Sequence, residues 1–436
     1  MTDEPRRAPA PSTASRRTRI TALLLGMLLL TLEGYDTVAF GATVPLLLGP
    51  EPWNLSLSDV GLLGSVTPMG MLVGALAVGQ FTDRYGRRRT VLLSLLLVTV
   101  GMPLCAMAPS VAVFVAGRFL VGVGVGVVFP ALTPLIFELA PPGRKNLYAA
   151  IIGSGFGLGG ALSAVVANTI AAEHGFRAEY AVGGAFGLLI LPLLYRWLPE
   201  SPGFGAAPGA PVPAAAATAG EETGLRLVLS RRYAATTVLF TAAVACSFLL
   251  IYGVNTWLPE LMRAADYSLG SALTFLVFLN LGAALGMLFI AAVADRLGTG
   301  ATVVACFLIA AAGVVLLSFR SPMPALYGIV LITGTAAIGN QALVNTHISS
   351  SYPLNARGSA IGVALGVGRV GAIIAPTVGG WILAAGFEPR LNFVLFALPA
   401  VAGALLVWCI PRPARGSAGA GDAVPAAVGG GREAGR

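Results

Sequence analysis

The chain has 436 residues, 56% of them hydrophobic and only 11% charged, with a formal net charge of +8. A soluble globular domain carries about 25% charged residues, so this composition excludes an ordinary soluble enzyme or binding module and indicates a polytopic membrane protein. The positive charge asks for a topological explanation before a nucleic-acid one, and no nucleic-acid partner is expected.

Residues 1–19 are Pro-, Ser- and Arg-rich without an apolar stretch and read as a cytoplasmic tail rather than a cleaved signal. Runs long enough to cross a bilayer follow near 20–48, 59–81, 90–107, 110–139, 146–171, 179–198, 234–262, 270–293, 300–319, 323–350, 357–384 and 391–410. The predicted fold is therefore all-α, with twelve transmembrane helices in two six-helix halves, 20–198 and 234–410. An Ala-, Pro- and Gly-rich linker, 199–233, joins the halves, and a tail, 411–436, ends the chain. One set of loops holds Arg84, Arg87, Arg88, Arg89, Arg144, Lys145, Arg226, Arg231, Arg232, Arg296 and Arg357, and both tails fall on the same side. The opposite loops hold Glu51, Asp59, Glu173, Glu179, Asp266 and Glu388 against Arg177, Arg263, Arg320 and Arg390. The positive-inside rule then predicts cytoplasmic termini and a multi-pass protein of the cell inner (cytoplasmic) membrane.

The chain repeats itself weakly. Asp83-Arg84-Tyr85-Gly86 after span two is echoed by Asp295-Arg296-Leu297-Gly298 after span eight, Arg144 by Arg357, and Gly34-Tyr35-Asp36-Thr37 by Gly253-Val254-Asn255-Thr256, all at a similar offset. A six-helix unit used twice in parallel places a substrate near the midplane between its copies.

The first span carries two acids, Glu33 and Asp36, three residues apart on one helical face. An acid near the bilayer centre costs about 2.5–3.5 kcal/mol even on a lenient scale, so such a pair points to use, with helix anchoring as the plainer alternative. Low dielectric and a like-charged neighbour both favour a neutral carboxylic acid. A group that is neutral facing one side and ionised facing the other carries a proton, and Asp36 is the preferred carrier. Two arginines also lie within spans. Arg118 stands eight residues into span four, and Arg369 stands about 18 Å along its helix from Arg357. A guanidinium is the natural bidentate partner of a carboxylate, so either can bind a substrate carboxylate or neutralise Asp36. Arg118 can instead snorkel from a shallow site, and Arg369 can serve helix packing. Tyr252, Asn255 and Trp257 in span seven offer stacking surface and hydrogen bonds to a planar anion, unless Trp257 belongs to the interfacial belt. Asn340, Gln341 and Asn345 in span ten, with Asn280 in span eight, line a cavity or join helices. The four cysteines show no disulfide or metal spacing. No metal site, no nucleophile–base set and no nucleotide loop can be assembled, so no cofactor and no enzymatic activity are expected, and transport should draw on an ion gradient.

Five stretches carry a resemblance. Gly79-Gln-Phe-Thr-Asp83-Arg84-Tyr-Gly86-Arg87-Arg88-Arg89 resembles the loop 2–3 signature of the major facilitator superfamily. The resemblance implies the major facilitator fold, and a latch of Gly79, Asp83, Arg84, Gly86, Arg87 and Arg88 that holds the halves outward-open, with a weaker second latch at Asp295 and Arg296. Glu33-Gly34-Tyr35-Asp36 resembles the first-helix Asp-Gly-(Phe/Tyr)-Asp motif of the aromatic acid:H+ symporter branch, with Glu in place of the first Asp. Tyr252 to Pro259 and Gly366 to Pro376 look like the seventh and eleventh helices of the same branch. Leu198-Pro-Glu200-Ser-Pro202 resembles a motif after span six of sugar porters, and the glycine cluster of span five lacks the proline of drug antiporters. The branch resemblance implies a monomeric, proton-coupled importer of a small aromatic carboxylate. Its partners are that acid, protons and the bilayer. A sugar porter, a drug:H+ antiporter and a membrane sensor that binds without transporting are the alternatives.

Overall fold

In lipid every backbone N–H and C=O must find its partner inside the segment, so apolar runs of this length become helices. The computed structural model describes residues 15–49, 53–141, 144–201, 224–353 and 355–411. Most of the predicted N-terminal tail, linker positions 202–223, the tail from 412 onward and Glu51 lie outside the described residues.

Twelve helices long and apolar enough to cross a membrane are present among the described residues. They are α1 (Arg16–Leu47), α2 (Leu57–Tyr85), α3 (Arg87–Ala106), α4 (Val111–Leu139), α5 (Lys145–Val166), α6 (Phe176–Trp197), α7 (Ala234–Ala264), α8 (Leu269–Leu297), α9 (Thr299–Leu316), α10 (Met323–Ile338, resumed over Asn340–Ser351), α11 (Arg357–Ala384) and α12 (Pro389–Trp408). A π-turn, Ala167–Ala171, and a last turn, Ala172–His174, extend α5. In the linker, a short helix spans Gly224–Val228.

The connections at the arginine-rich end are tighter than the sequence suggests. Gly86 alone separates α2 from α3, and Gly298 alone separates α8 from α9, with φ of +84° and +87°. Reversing the chain in one left-handed residue suits glycine, which has no Cβ to strain. The signature stretch is therefore less a loop than two helix ends, with Asp83 and Arg84 closing α2 and Arg87 to Arg89 opening α3.

Packing repeats as the sequence does. In the first half α1 lies on α5, α2 on α4, and α3 on α4 and α6; in the second, α7 lies on α11, α8 on α10, and α9 on α10 and α12. Across the halves the main contacts are α2 with α11 and its counterpart α8 with α5, joined by α1 with α7. A parallel repeat produces this two-fold pattern.

These cross-half contacts sit toward the acidic end of the bundle. Gly61 and Gly64 of α2 meet Pro376 and Thr377 of α11, and the Ser65 and Thr377 hydroxyls stand 2.8 Å apart. Gly41 of α1 lies against the Asn255 carbonyl of α7. Toward the basic end α2 and α11 part. Gly79, Gln80 and Phe81 are exposed, and open space surrounds Gly79, Gly358, Gly362 and Gly366. The bundle is thus closed at its acidic end and open at its arginine-rich end.

The closure depends on side chains too small to keep the helices apart. A Cβ on Gly64 would stand 2.6 Å from Pro376 and 2.8 Å from the Phe40 ring, so Gly64→Val should wedge the acidic end open. The check is a cysteine placed at Thr377 and probed with a membrane-impermeant maleimide. In the Gly64→Val background it should react about tenfold faster, equivalent to about 1.4 kcal/mol of population shift.

Candidate functional site

The acids of α1 are brought to the bundle centre by close backbone packing. A Cβ on Gly34 would stand 1.9 Å from the Phe156 carbonyl oxygen, so only glycine lets α1 and α5 approach this closely. Asp36, two residues on, is fully buried and forms an ion pair with the Arg118 guanidinium of α4. The contact uses one oxygen and one terminal nitrogen. Asp36 Oδ2 and Arg118 Nε have no partner among the described residues. Two rings clamp the guanidinium, with Phe40 at 5.6 Å and Tyr180 at 5.5 Å from Cζ. Arg118 therefore does not snorkel. At 2% exposure its charge is compensated by Asp36 and by aromatic faces rather than by water.

Glu33 lies one helical turn before Asp36, is buried, and has Oε2 unpartnered. Its main cationic neighbour is Arg369 of α11, which is half-buried and makes no ion pair or hydrogen bond among the described residues. Tyr252 of α7 belongs to the same group, since Arg369, Glu33 and Asp36 all act on it electrostatically. The Tyr252 hydroxyl reaches across the halves to Met71 Sδ of α2 at 3.6 Å, and Phe248 meets its ring edge-on at 6.1 Å. The structure thus brings together Glu33, Asp36, Arg118, Tyr252 and Arg369 from four different helices.

The other predicted contacts sit differently. Trp257 is fully buried, with its indole N–H donating to the Pro376 carbonyl at 2.9 Å, and Gly379 lies against its ring. It is neither an interfacial belt residue nor a face presented to the centre, because the α7–α11 contact encloses it. Asn255 is equally buried. Its amide donates to the Ile251 carbonyl and its oxygen accepts from Asn280, which ties α7 to α8. In α10, Gln341 accepts from Ser247 of α7 at 2.9 Å. Asn340 is 1% exposed with both amide atoms unpartnered, and Asn345 Oδ1 is unpartnered as well. These polar groups gather where α10 breaks at Gly339.

At the arginine-rich end the partners differ from those the sequence suggests. Arg87 pairs with Glu138 at the end of α4, and the Arg88 backbone N–H donates to Glu200 Oε1 at 3.0 Å. Ser201 donates to Glu138, and the Arg88 guanidinium donates to the Tyr195 carbonyl. Three arginines opening α3 face the positive end of its helix dipole, and the two glutamates offset that clash. Arg84 is exposed and lies over Tyr85, Asp295 and Arg296 are exposed, and the Asp83 side chain lies outside what is described.

Sequence reading missed Glu138, Glu200 and the surroundings of Arg118. It also placed Glu179 in an outer loop, whereas Glu179 stands in the first turn of α6 with no exposed surface. The signal was present in the run Phe176-Arg-Ala-Glu179-Tyr180, because starting the helix at Phe176 turns Glu179 and Tyr180 inward together.

The chain matches the family model described as Major Facilitator Superfamily over residues 26–376 and 277–429. A gentisate transporter of Corynebacterium glutamicum is 34% identical over 401 residues, covering 90% of this chain and 88% of that protein. A benzoate transport protein of Acinetobacter baylyi is 28% identical, covering 89% of this chain and 88% of that one. A 4-hydroxybenzoate transporter of the same organism is 27% identical, covering 87% and 88%. Among solved structures, a D-xylose-proton symporter shares the fold at 20% identity with a TM-score of 0.74, covering 91% of this chain and 98% of that chain. The xylose transporter XylE from E. coli, in an inward open conformation, does so at 19% identity with a TM-score of 0.72, covering 92% and 98%.

Removing one member of a buried ion pair leaves the other charge uncompensated, at a cost of about 3–5 kcal/mol. Asp36→Asn and Arg118→Gln should each lower the thermal midpoint in detergent strongly, whereas the double variant should recover most of the loss. Additive losses in that cycle would show that the pair does not act as a unit.

Proposed function

We propose that this chain, which belongs to the major facilitator superfamily, imports a small monocyclic aromatic carboxylate across the cytoplasmic membrane together with protons. The observation that carries this reading is the unpaired Arg369 beside Tyr252 and Glu33 at the centre of the bundle. A guanidinium without a partner, next to a phenol ring, suits a benzoate-like anion: carboxylate on the fork, ring against the aromatic. Arg118 is occupied by Asp36 and serves as its counter-charge, which leaves Arg369 as the substrate clamp. Relatives named as gentisate, benzoate and 4-hydroxybenzoate transporters support the same substrate class.

The charge balance explains why acids accompany the arginines. An anion entering alone works against an inside-negative potential at about 2.3 kcal/mol per charge per 100 mV, and one cotransported proton cancels that term. Protonating Asp36 removes the charge that holds Arg118 to α1, so α1 and α4 can answer to proton binding. The six-helix halves, 20–198 and 234–410, rock about this centre, with Asn340 and Gln341 offering further polar contacts. The arginine-rich end faces the cytoplasm, as its basic loops indicate, and the monomer is the transporting unit.

Purified protein in proteoliposomes tests the reading. Labelled benzoate, 4-hydroxybenzoate or gentisate should accumulate when the lumen is alkaline, and a protonophore should collapse the gradient. Accumulation that ignores the pH gradient, or competition by xylose, would overturn it. Arg369→Gln should weaken benzoate binding by about 1.5–3 kcal/mol, roughly tenfold to a hundredfold, and leave benzamide binding little changed. Calorimetric titration of both ligands reads the difference, and equal losses would remove Arg369 from the clamp.

A further inference from the structure

We propose that Glu179 is a second proton-binding carboxyl of the transport cycle, sealed beneath an aromatic cap when the acidic end closes and reached from that end when it opens. The proposal rests on the proton-coupled reading above and adds a site to it.

The geometry begins with a carboxyl that has few partners. Glu179 has no exposed surface, Oε1 accepts one hydrogen bond from the Ser163 hydroxyl of α5 at 2.8 Å, and Oε2 accepts none among the described residues. The ionisable groups around it come from four helices. From α1, Tyr35 donates its hydroxyl to the Glu179 carbonyl at 2.8 Å, and Asp36 follows Tyr35 in sequence. From α4, Arg118 is engaged by Asp36. Cys105 of α3 lies beside that pair. On α6 itself, Tyr180 faces Arg118, while Arg177 is exposed, donates to the Ala108 carbonyl and lies over Phe176. No cation pairs with Glu179 among the described residues.

A purely structural account is weak. A carboxylate in the first turn of a helix favours the helix dipole, but that gain is available at the surface and is small beside the cost of burying an unpaired charge. A glutamine would fill the same space and accept the same hydrogen bond without that cost. What an acid offers here is a charge that can come and go.

Two features connect that charge to transport. The first is a cap: Trp53, Phe114, Phe176 and Tyr180 pack with ring centroids 5.2–5.8 Å apart from one neighbour to the next, at the acidic end of the bundle where Phe176 begins the helix that carries Glu179. The second is interlocking. Tyr35–Asp36 on α1 and Glu179–Tyr180 on α6 are two acid–tyrosine pairs, and each tyrosine touches the other acid's surroundings. Tyr35 bonds the Glu179 backbone, and Tyr180 covers the guanidinium that holds Asp36. Moving α6 against α1 to open the cap therefore disturbs both acids at once. In each cycle one proton joins Glu179 and leaves it again, with no bond other than O–H made or broken.

The test uses the purified full chain in proteoliposomes with benzoate as the probe. The proton-to-benzoate ratio is read from the pH gradient and potential that bring net flux to zero. Glu179→Gln should lose a whole proton per benzoate while benzoate counterflow stays within about twofold of wild type, and Glu179→Asp should restore the ratio. If the Gln variant does not fold, Ser163→Ala removes the one side-chain hydrogen bond and should shift the pH profile of uptake without changing counterflow. A wild-type ratio in Glu179→Gln, or an unshifted profile in Ser163→Ala, overturns the assignment while leaving proton coupling standing. A wild-type protein that accumulates benzoate without moving protons overturns both.

Discussion

The Asp36–Arg118 pair constrains everything around it. Both charges are buried, and neither forms an ion pair with any other group among the described residues. Such a pair is tolerated only when its geometry is held and its remaining surface covered. Phe40 and Tyr180 supply the cover, Gly34 lets α1 close on α5, and Thr67 of α2 donates to the Arg118 backbone carbonyl. With Arg118 committed to Asp36, Arg369 is the central guanidinium without an ion pair among the described residues.

Alternation between two open states needs interfaces that hold without deep side-chain interlock. The contacts between the halves meet this need with glycine, alanine and single hydroxyls. Gly41 lies on Asn255, Gly61 and Gly64 on Pro376, Gly157 on Ala284, and Ser65 on Thr377. In lipid these contacts gain from van der Waals fit, and glycine and alanine have almost no rotamer freedom to lose on packing. Bulky residues concentrate instead within each half, as where Trp257 joins α7 to α11.

The arginine cluster at the open end shows the same economy. Glu138 at the end of α4 and Glu200 just after α6 hold Arg87 and the start of α3, so the clash of its arginines with the helix dipole is offset locally.

Much of this was legible in the chain. Long apolar runs with few charges can only be helices in a bilayer, so the twelve spans and the two-fold repeat follow from the sequence, as does the presence of acids and arginines at membrane depth. Residue type also marks Glu33, Asp36, Arg118 and Arg369 as special, because ionised groups are costly there. What the sequence does not hold is rotation about each helix axis. One turn's difference in where α6 begins moves Glu179 from an outer loop to a sealed interior. The same freedom turns Trp257 toward α11, Asn255 toward Asn280, and Arg118, rather than Arg369, toward Asp36. Those choices depend on which faces of different helices meet, and in lipid that is decided by the fit of small residues hundreds of positions apart. Burial cost and local pattern determined the elements, and only the packed bundle decided their partners.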